Sequence, residues 1–83
     1  MALIEYDFAI VAASSVNIDH KSICELADRL FDVGAEDCTL SSRGNALIIE
    51  FDREAESYEQ AVMSAIKQVN LIESLTVIRV GVD

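Results

Sequence analysis

The sequence has no proline and few basic residues. Six lysines and arginines stand against fifteen aspartates and glutamates, which gives a formal net charge of −9. The absence of proline fits a compact domain without linkers, and 83 residues, 52% of them hydrophobic, can fill one core but not two. We therefore expect a single domain over residues 1–83. The negative field repels phosphate backbones, which disfavours direct nucleic-acid binding by this chain.

Cysteine is also scarce. Cys24 and Cys38 are the two thiols and do not form a CxxC motif, so we expect reduced cysteines in the core of an intracellular protein. The chain lacks an apolar run of the roughly 18 residues that a membrane-spanning helix needs. Its first residues, MALIEYDF, include two acids and no basic segment, unlike a secretion signal. These absences predict a cytoplasmic protein without membrane association.

Two periodicities alternate along the chain. Period-two patterns predict strands, and apolar residues at helical spacing predict amphipathic helices. In chain order the segments are a strand in EYDFAIVA, a helix in HKSICELADRLFDVG, strands in EDCTLSS and ALIIEF, a helix in SYEQAVMSAIKQV and a strand in SLTVIRVGV. This order predicts an α+β fold, the ferredoxin-like βαββαβ two-layer sandwich, with an antiparallel sheet in the order 4-1-3-2.

Turn and capping residues mark the boundaries of the elements in the second half of the chain. Gly44-Asn45 is the signature of a tight hairpin. Ser57 and Gln60 have the spacing of a capping box at the start of the second helix. The acidic run DREAESYE precedes and enters this helix, and we interpret it as negative charge placed favourably at a helix N-terminus.

Two helices can cover only one face of a four-stranded sheet, so the predicted sheet has an uncovered face. The alternation places these residues on it: Glu5, Asp7, Ala9 and Val11 from the first strand, Ala46, Ile48 and Glu50 from the third, and Leu75, Val77 and Arg79 from the last. The candidate interface consists of Val11, Ile48, Leu75, Val77 and Arg79, with Arg79 able to pair with Asp7 across strands. A contiguous apolar patch of this kind indicates a surface for a protein partner or a second copy. Scattered aliphatic residues exposed to water are the alternative interpretation.

The residue pattern predicts neither catalysis nor metal binding. His20 and Cys24 lie one helical turn apart, but no oxyanion donor or orienting group accompanies them. Asp19, His20 and Glu25 do not have the spacing of a closed metal site. We therefore expect no catalytic residue, no metal ligand and no cofactor. The predicted uncovered face has no aromatic residue, which excludes base stacking of the RNA-recognition kind.

Three segments carry a resemblance to a known family: LADRLFDVGAEDCTL, ALIIEFDREAESYEQAVMSAIKQV and VIRVGVD. They resemble the amino-terminal ferredoxin-like domain of small bacterial DNA-binding regulators with an excisionase-type helix-turn-helix, and of related antitoxin-like proteins. The most specific part is FDREA followed by AVMSAI. In that family the DNA-reading segment follows this domain, beyond the position of Asp83, so no DNA contact is carried over to any residue here. The resemblance implies a non-catalytic accessory domain for dimerisation or partner sensing.

The function expected from these features is that of a non-enzymatic protein-interaction or dimerisation domain in a bacterial regulatory system. Two alternatives stay open. The small size and the net charge fit an acidic inhibitory protein that mimics nucleic acid, such as a phage-encoded or defence-system antagonist. A small-ligand sensor is the other alternative, since this fold has amino-acid-binding members.

Overall fold

The computed structural model describes residues 3–81, which form four strands and two helices. The elements are β1 (Ile4–Ser14), α1 (His20–Asp32), β2 (Cys38–Arg43), β3 (Ala46–Ala55), α2 (Tyr58–Asn70) and β4 (Leu75–Val80). Their order confirms the predicted succession of strands and helices. The predictions that the last strand reaches Val82 and that the domain includes residues 1, 2, 82 and 83 lie outside the described residues. No helix within residues 3–81 has the length and apolar character needed to cross a membrane.

The four strands form one antiparallel sheet in the order β2-β3-β1-β4, which confirms the predicted order 4-1-3-2. The central strands β1 and β3 pair from Ile4 opposite Ala55 to Ala13 opposite Ala46. The hairpin between β2 and β3 turns at Gly44, whose φ is +62°. Glycine at the first central position is typical of a type II′ turn, whose twist matches that of the flanking strands. The two outer strands, β2 and β4, form the edges of the sheet.

Both helices begin at a side-chain cap. The carboxylate of Asp19 accepts the backbone amide of Ser22 at 2.8 Å, and this bond lowers the pKa of Asp19. The Oγ of Ser57 accepts the amide of Gln60 at 3.1 Å, as the capping box predicts. The side chain of Gln60 in turn accepts the amide of Glu56 at 3.1 Å. This amide belongs to the residue before the N-cap, so the returning bond is shifted by one residue from that of a regular capping box.

One hydrophobic core lies between the helices and one face of the sheet. Its fully buried large side chains are Ile10, Leu30, Leu47, Ile49, Phe51 and Val69. The alternation in β1 and β3 and the helical spacing in α1 and α2 explain this set. Helix α1 is buried less than its apolar stripe predicts, because Leu26 and Leu30 are buried whereas Ala27 and Phe31 are exposed.

A β-bulge in β4 corrects the face predicted for this strand. β4 pairs with β1 in two registers that are separated by one extra residue, Ile78. Because side chains alternate along a strand, one extra residue inverts every position on one side of it. Leu75 is 5% exposed and belongs to the core, and Val77 packs against the core. The prediction that Leu75 and Val77 lie on the uncovered face is therefore wrong, whereas Arg79 does point to that face beside β1.

Arg53, near the end of β3, connects three parts of the chain. Its Nε and Nη2 donate to the carboxylate of Asp37, in the α1–β2 connection, at 2.8 Å each. From the same guanidinium, Nη2 donates to Gln68 at 2.6 Å and Nη1 to Ser64 at 3.0 Å. Its Cζ lies 4.9 Å from the centroid of the Phe51 ring. These charge-assisted bonds hold α2 and the α1–β2 connection on the sheet.

Candidate protein-binding surface

The sheet face opposite the helices is left uncovered by the described part of the chain, and we call it the open face. Residues paired across antiparallel strands point to the same face, so the register defines its members. They are Glu5, Asp7, Ala9, Val11 and Ala13 from β1, Ala46, Ile48, Glu50, Asp52 and Glu54 from β3, Thr39, Ser41 and Arg43 from β2, and Thr76 and Arg79 from β4.

The apolar part of the open face is smaller than the sequence predicts. Val11 and Ile48 lie there, opposite each other, but they are only 5% and 9% exposed. Leu75 and Val77 contribute to the core instead. Of the five predicted interface residues, the structure therefore brings Val11, Ile48 and Arg79 together, and they expose little apolar surface to a partner.

The other half of the open face is acidic. β3 continues to Ala55, so Glu54, which the sequence interpretation placed at the start of α2, belongs to the strand together with Asp52. Of that acidic run, Glu59 does lie in the first turn of α2. The register then sets Glu54 opposite Glu5 and Asp52 opposite Asp7. Like charges directly opposite each other destabilise a sheet. The period-two alternation of core residues continues through Arg53 and Ala55, and this was the sequence signal for the longer strand.

Three of these carboxylates form a close group. Ligand atoms of Glu5, Asp7 and Asp52 all lie within 4.8 Å of one another. A hydrogen bond to Asp52, and then repulsion from its charge, raise the pKa of Asp7 above its ordinary value. The predicted pair between Arg79 and Asp7 is not formed: Arg79 Nε donates to the carbonyl of Gly81 at 3.1 Å, and Arg53–Asp37 is the ion pair found within residues 3–81. Exposed acidic groups are common without an ion, so the trio is part of an acidic surface and not by itself a metal centre.

Removing one charge from this group should stabilise the protein at neutral pH. A raised pKa in the folded state means that Asp7 contributes stability below its unfolded pKa, and that this contribution is lost as the pH rises through the folded pKa. We expect Asp7→Asn to raise the melting temperature at pH 7, with the difference shrinking as the pH falls to 3. The measurement is a series of thermal melts across this range, with Asp28→Asn on the exposed side of α1 as the control for general charge.

If Asp7→Asn and Asp28→Asn raised the melting temperature equally, net charge alone, and not the pairing of Asp7 with Asp52, would explain the increase. An unchanged melting temperature for Asp7→Asn would contradict the repulsion across the β1–β3 pair.

The residues tested for nucleophilic chemistry lie at the surface of α1. His20 Nε2 is 3.9 Å from Cys24 Sγ, and both side chains are exposed. The prediction that Cys24 is a core thiol is therefore wrong, because this position lies beside the buried stripe of α1 and not within it. Cys38 is half-buried; its Sγ donates to the carbonyl of Ala35 at 3.3 Å, and burial raises its pKa.

A cavity of about 440 Å³ bears on the alternative of a small-ligand sensor. It lies where the β1–α1 and α2–β4 connections meet, and its lining includes Ser15, Glu25, Arg29 and Glu73. Charges of both signs could match a zwitterionic molecule. All four side chains are exposed to water, so no buried polar group is held ready for a ligand, and the open face is the stronger candidate.

Comparison with known proteins assigns no function. No protein-family model matches the chain, and no match was found among curated proteins or solved structures. The surfaces described above are therefore the basis for a functional proposal.

Proposed function

We propose that this chain is a non-enzymatic protein-interaction domain with a ferredoxin-like fold, and that its open face binds a basic surface of a partner protein. The observation that carries the proposal is the register of β1 and β3, which pairs Glu5 with Glu54 and Asp7 with Asp52 on the uncovered side of the sheet. A domain that only had to fold would gain stability by replacing one member of each pair. Local choices that oppose stability are expected at functional sites.

The charge of this face favours a different protein over a second copy. Two open faces brought together would oppose five carboxylates on each side, from Glu5, Asp7, Glu50, Asp52 and Glu54. The apolar area available to offset that repulsion is small, since Val11 and Ile48 are nearly buried already. A lysine- or arginine-rich partner would relieve the repulsion within the sheet while it gained attraction of its own.

The assignment to a bacterial regulatory system comes from the sequence resemblance. The most specific part of that resemblance, from Phe51 to Ile66, covers the end of β3 and most of α2. It includes Asp52 and Glu54, which contribute to the open face. In this proposal the domain recruits a regulatory partner protein and contacts no DNA itself.

The test is capture of partners from the host by the tagged chain, with variants that change only the open face. Asp7→Asn combined with Asp52→Asn removes two charges there. Glu56→Gln combined with Glu59→Gln removes two exposed charges at the start of α2 and serves as the matched control. We expect a protein that the unaltered chain and the control capture, that the open-face variant loses, and that salt of about 1 M releases because the Debye length falls to about 3 Å.

The purified pair should then bind about tenfold or more weakly when the open face is changed. A partner captured equally by all three chains, or a stable homodimer that the open-face variant disrupts, would overturn the proposal as stated.

A second function is favoured by the arrangement of the carboxylates in rows. Same-face residues repeat about every 6.8 Å along a strand, and Glu50, Asp52 and Glu54 occupy consecutive positions of this kind on β3. Such a row fits an inhibitory protein that occupies the nucleic-acid groove of its target. Competition with duplex DNA for the captured partner distinguishes the two functions. DNA should displace this chain from a target that it inhibits by mimicry, but not from a regulatory partner that binds DNA elsewhere or not at all.

A further inference from the structure

A groove runs between α1 and the edge strand β2, on the helix-covered side of the sheet and away from the open face. Its volume is about 440 Å³, and its apolar lining includes Ile23, Ala27, Phe31, Cys38 and Leu40. Phe31 is 59% exposed, among the most exposed large hydrophobic side chains within residues 3–81. We call this feature the α1–β2 groove.

The groove is lined on one side by the part of the apolar stripe of α1 that the core does not bury. Ile23, Ala27 and Phe31 follow one another at intervals of four residues, so they form a single row on the helix. The neighbouring row with Leu26 and Leu30 is buried. β2 is an edge strand, and the row of Phe31 lines the groove together with it. A further strand beside β2 would pack beneath this row.

The outer edge of β2 can accept such a strand. The amide of Asp52 donates to the carbonyl of Asp37 at 3.0 Å, and bonded pairs recur at every second residue of an antiparallel ladder. Thr39 therefore bonds to β3, whereas the amides and carbonyls of Cys38 and Leu40 point outward. Their side chains line the groove on the same edge. Backbone hydrogen bonds and apolar pockets are thus offered together, as in peptide recognition by strand addition.

The opposite edge of the sheet lacks this combination. β4 is interrupted by the bulge at Ile78, and a bulge at an edge twists the strand away from further pairing. β2 has six residues in continuous register with β3 and no such interruption. The structure thus leaves β2 as the edge that is open to an added strand.

The negative charge at the rim of the α1–β2 groove favours an added strand that carries positive charge. Asp28 and Glu36 line the groove, and the chain as a whole carries a net charge of −9. A second copy of the chain would bring its own Asp28 and Glu36 to the same rim. A basic segment would instead be attracted on approach and paired when bound.

We propose that the α1–β2 groove binds an extended, lysine- or arginine-containing peptide segment of a partner protein, which adds to β2 as a fifth strand. Alternate apolar side chains of the segment enter the groove against Phe31 and Leu40. This site is separate from the open face and does not depend on the function proposed for it.

The probe is a synthetic heptapeptide with valine at its third and fifth positions, lysine at its first and seventh and threonine between them, so that valines and lysines share the face that meets the groove. It is labelled with a fluorophore and titrated with the full chain. The control peptide has the same sequence with N-methyl groups on alternate residues, which block the backbone hydrogen bonds of a strand and leave the charge unchanged. The protein variants are Phe31→Ser at the groove and Met63→Ser on α2, where the side chain is 58% exposed, nearly the same as Phe31. Both positions are exposed, so neither substitution should unfold the chain.

We expect saturable binding of the unmethylated peptide that Met63→Ser preserves and that Phe31→Ser weakens about tenfold. The N-methylated peptide should bind at least tenfold more weakly, since it retains only charge attraction. Bound peptide should also slow alkylation of Cys24, an exposed residue of the groove lining.

Three results would overturn the proposal: no binding at millimolar peptide, equal binding of the N-methylated peptide, or equal binding by Phe31→Ser. Peptide binding that is lost in Asp7→Asn/Asp52→Asn but kept in Phe31→Ser would place the probe on the open face instead. A concentration-dependent dimer that Phe31→Ser dissociates would assign the groove to a second copy.

Discussion

Replacing Arg53 by alanine is expected to lower the free energy of unfolding by about 2–4 kcal/mol, since Asp37 would lose its charged partner and Ser64 and Gln68 would lose a hydrogen-bond donor. The Arg53 side chain is 11% exposed, and its guanidinium donates four hydrogen bonds, to Asp37, Ser64 and Gln68. Alanine would remove all four and would also uncover the ring of Phe51. The measurement is urea unfolding at pH 7 followed by circular dichroism.

The pH dependence separates the ion pair from the other contacts of Arg53. The guanidinium holds the pKa of Asp37 below its ordinary value. A lowered pKa in the folded state gives stability that is present above the unfolded pKa and is lost as the pH falls through the folded pKa. The difference between Arg53→Ala and the unaltered chain should therefore be greatest near pH 7 and smaller near pH 2.

Arg43→Ala is the matched control, because Arg43 is an exposed arginine at the end of β2. We expect it to change the free energy of unfolding by no more than about 0.5 kcal/mol, as surface substitutions usually do. If both variants lost the same stability, Arg53 would act only through net charge and the network would not hold α2 on the sheet.

The sequence predicted the order of the elements because the core positions of this chain repeat with few exceptions. Leu47, Ile49 and Phe51 alternate on β3, and all three are buried. Ser57 marks the start of α2 through a local hydrogen bond to Gln60, and a local bond can be inferred from spacing alone. The sheet order followed from the connections that such a succession allows.

Glu5, Asp7 and Glu50 were predicted on the uncovered face, but Asp52 and Glu54 were missed for a local reason. In DREAESYE the charged residues gave a plausible cap for α2, and this competed with their alternation along β3. Whether β3 continues to Ala55 depends on Arg53, a charged residue at a position that faces the core. Only the tertiary bonds to Asp37 and Gln68 make that position favourable for it, and no local pattern reports those bonds.

The exposed row of α1 could not be predicted from the helix alone. Phe31 has the spacing of a buried residue, and its exposure depends on where the neighbouring sheet ends. The same holds for the face of β4. A bulge is a property of the pairing between two strands, and the alternation of β4 by itself fits both registers equally well.

The assignment of faces in β4 gives the second large effect. Leu75→Ala should lower the free energy of unfolding by about 2–4 kcal/mol, because it would leave a cavity in the core. Ile78→Ala at the bulge is the matched control from the same strand: Ile78 is 55% exposed, and we expect a loss of at most about 1 kcal/mol, from strand propensity. Urea unfolding of both variants, with the slopes compared for compactness, measures the two values. If Ile78→Ala lowered the free energy of unfolding more than Leu75→Ala does, the bulge would not lie at Ile78. Leu75 and Val77 would then return to the open face, and the apolar dimer interface expected from the sequence would again be favoured over a basic partner.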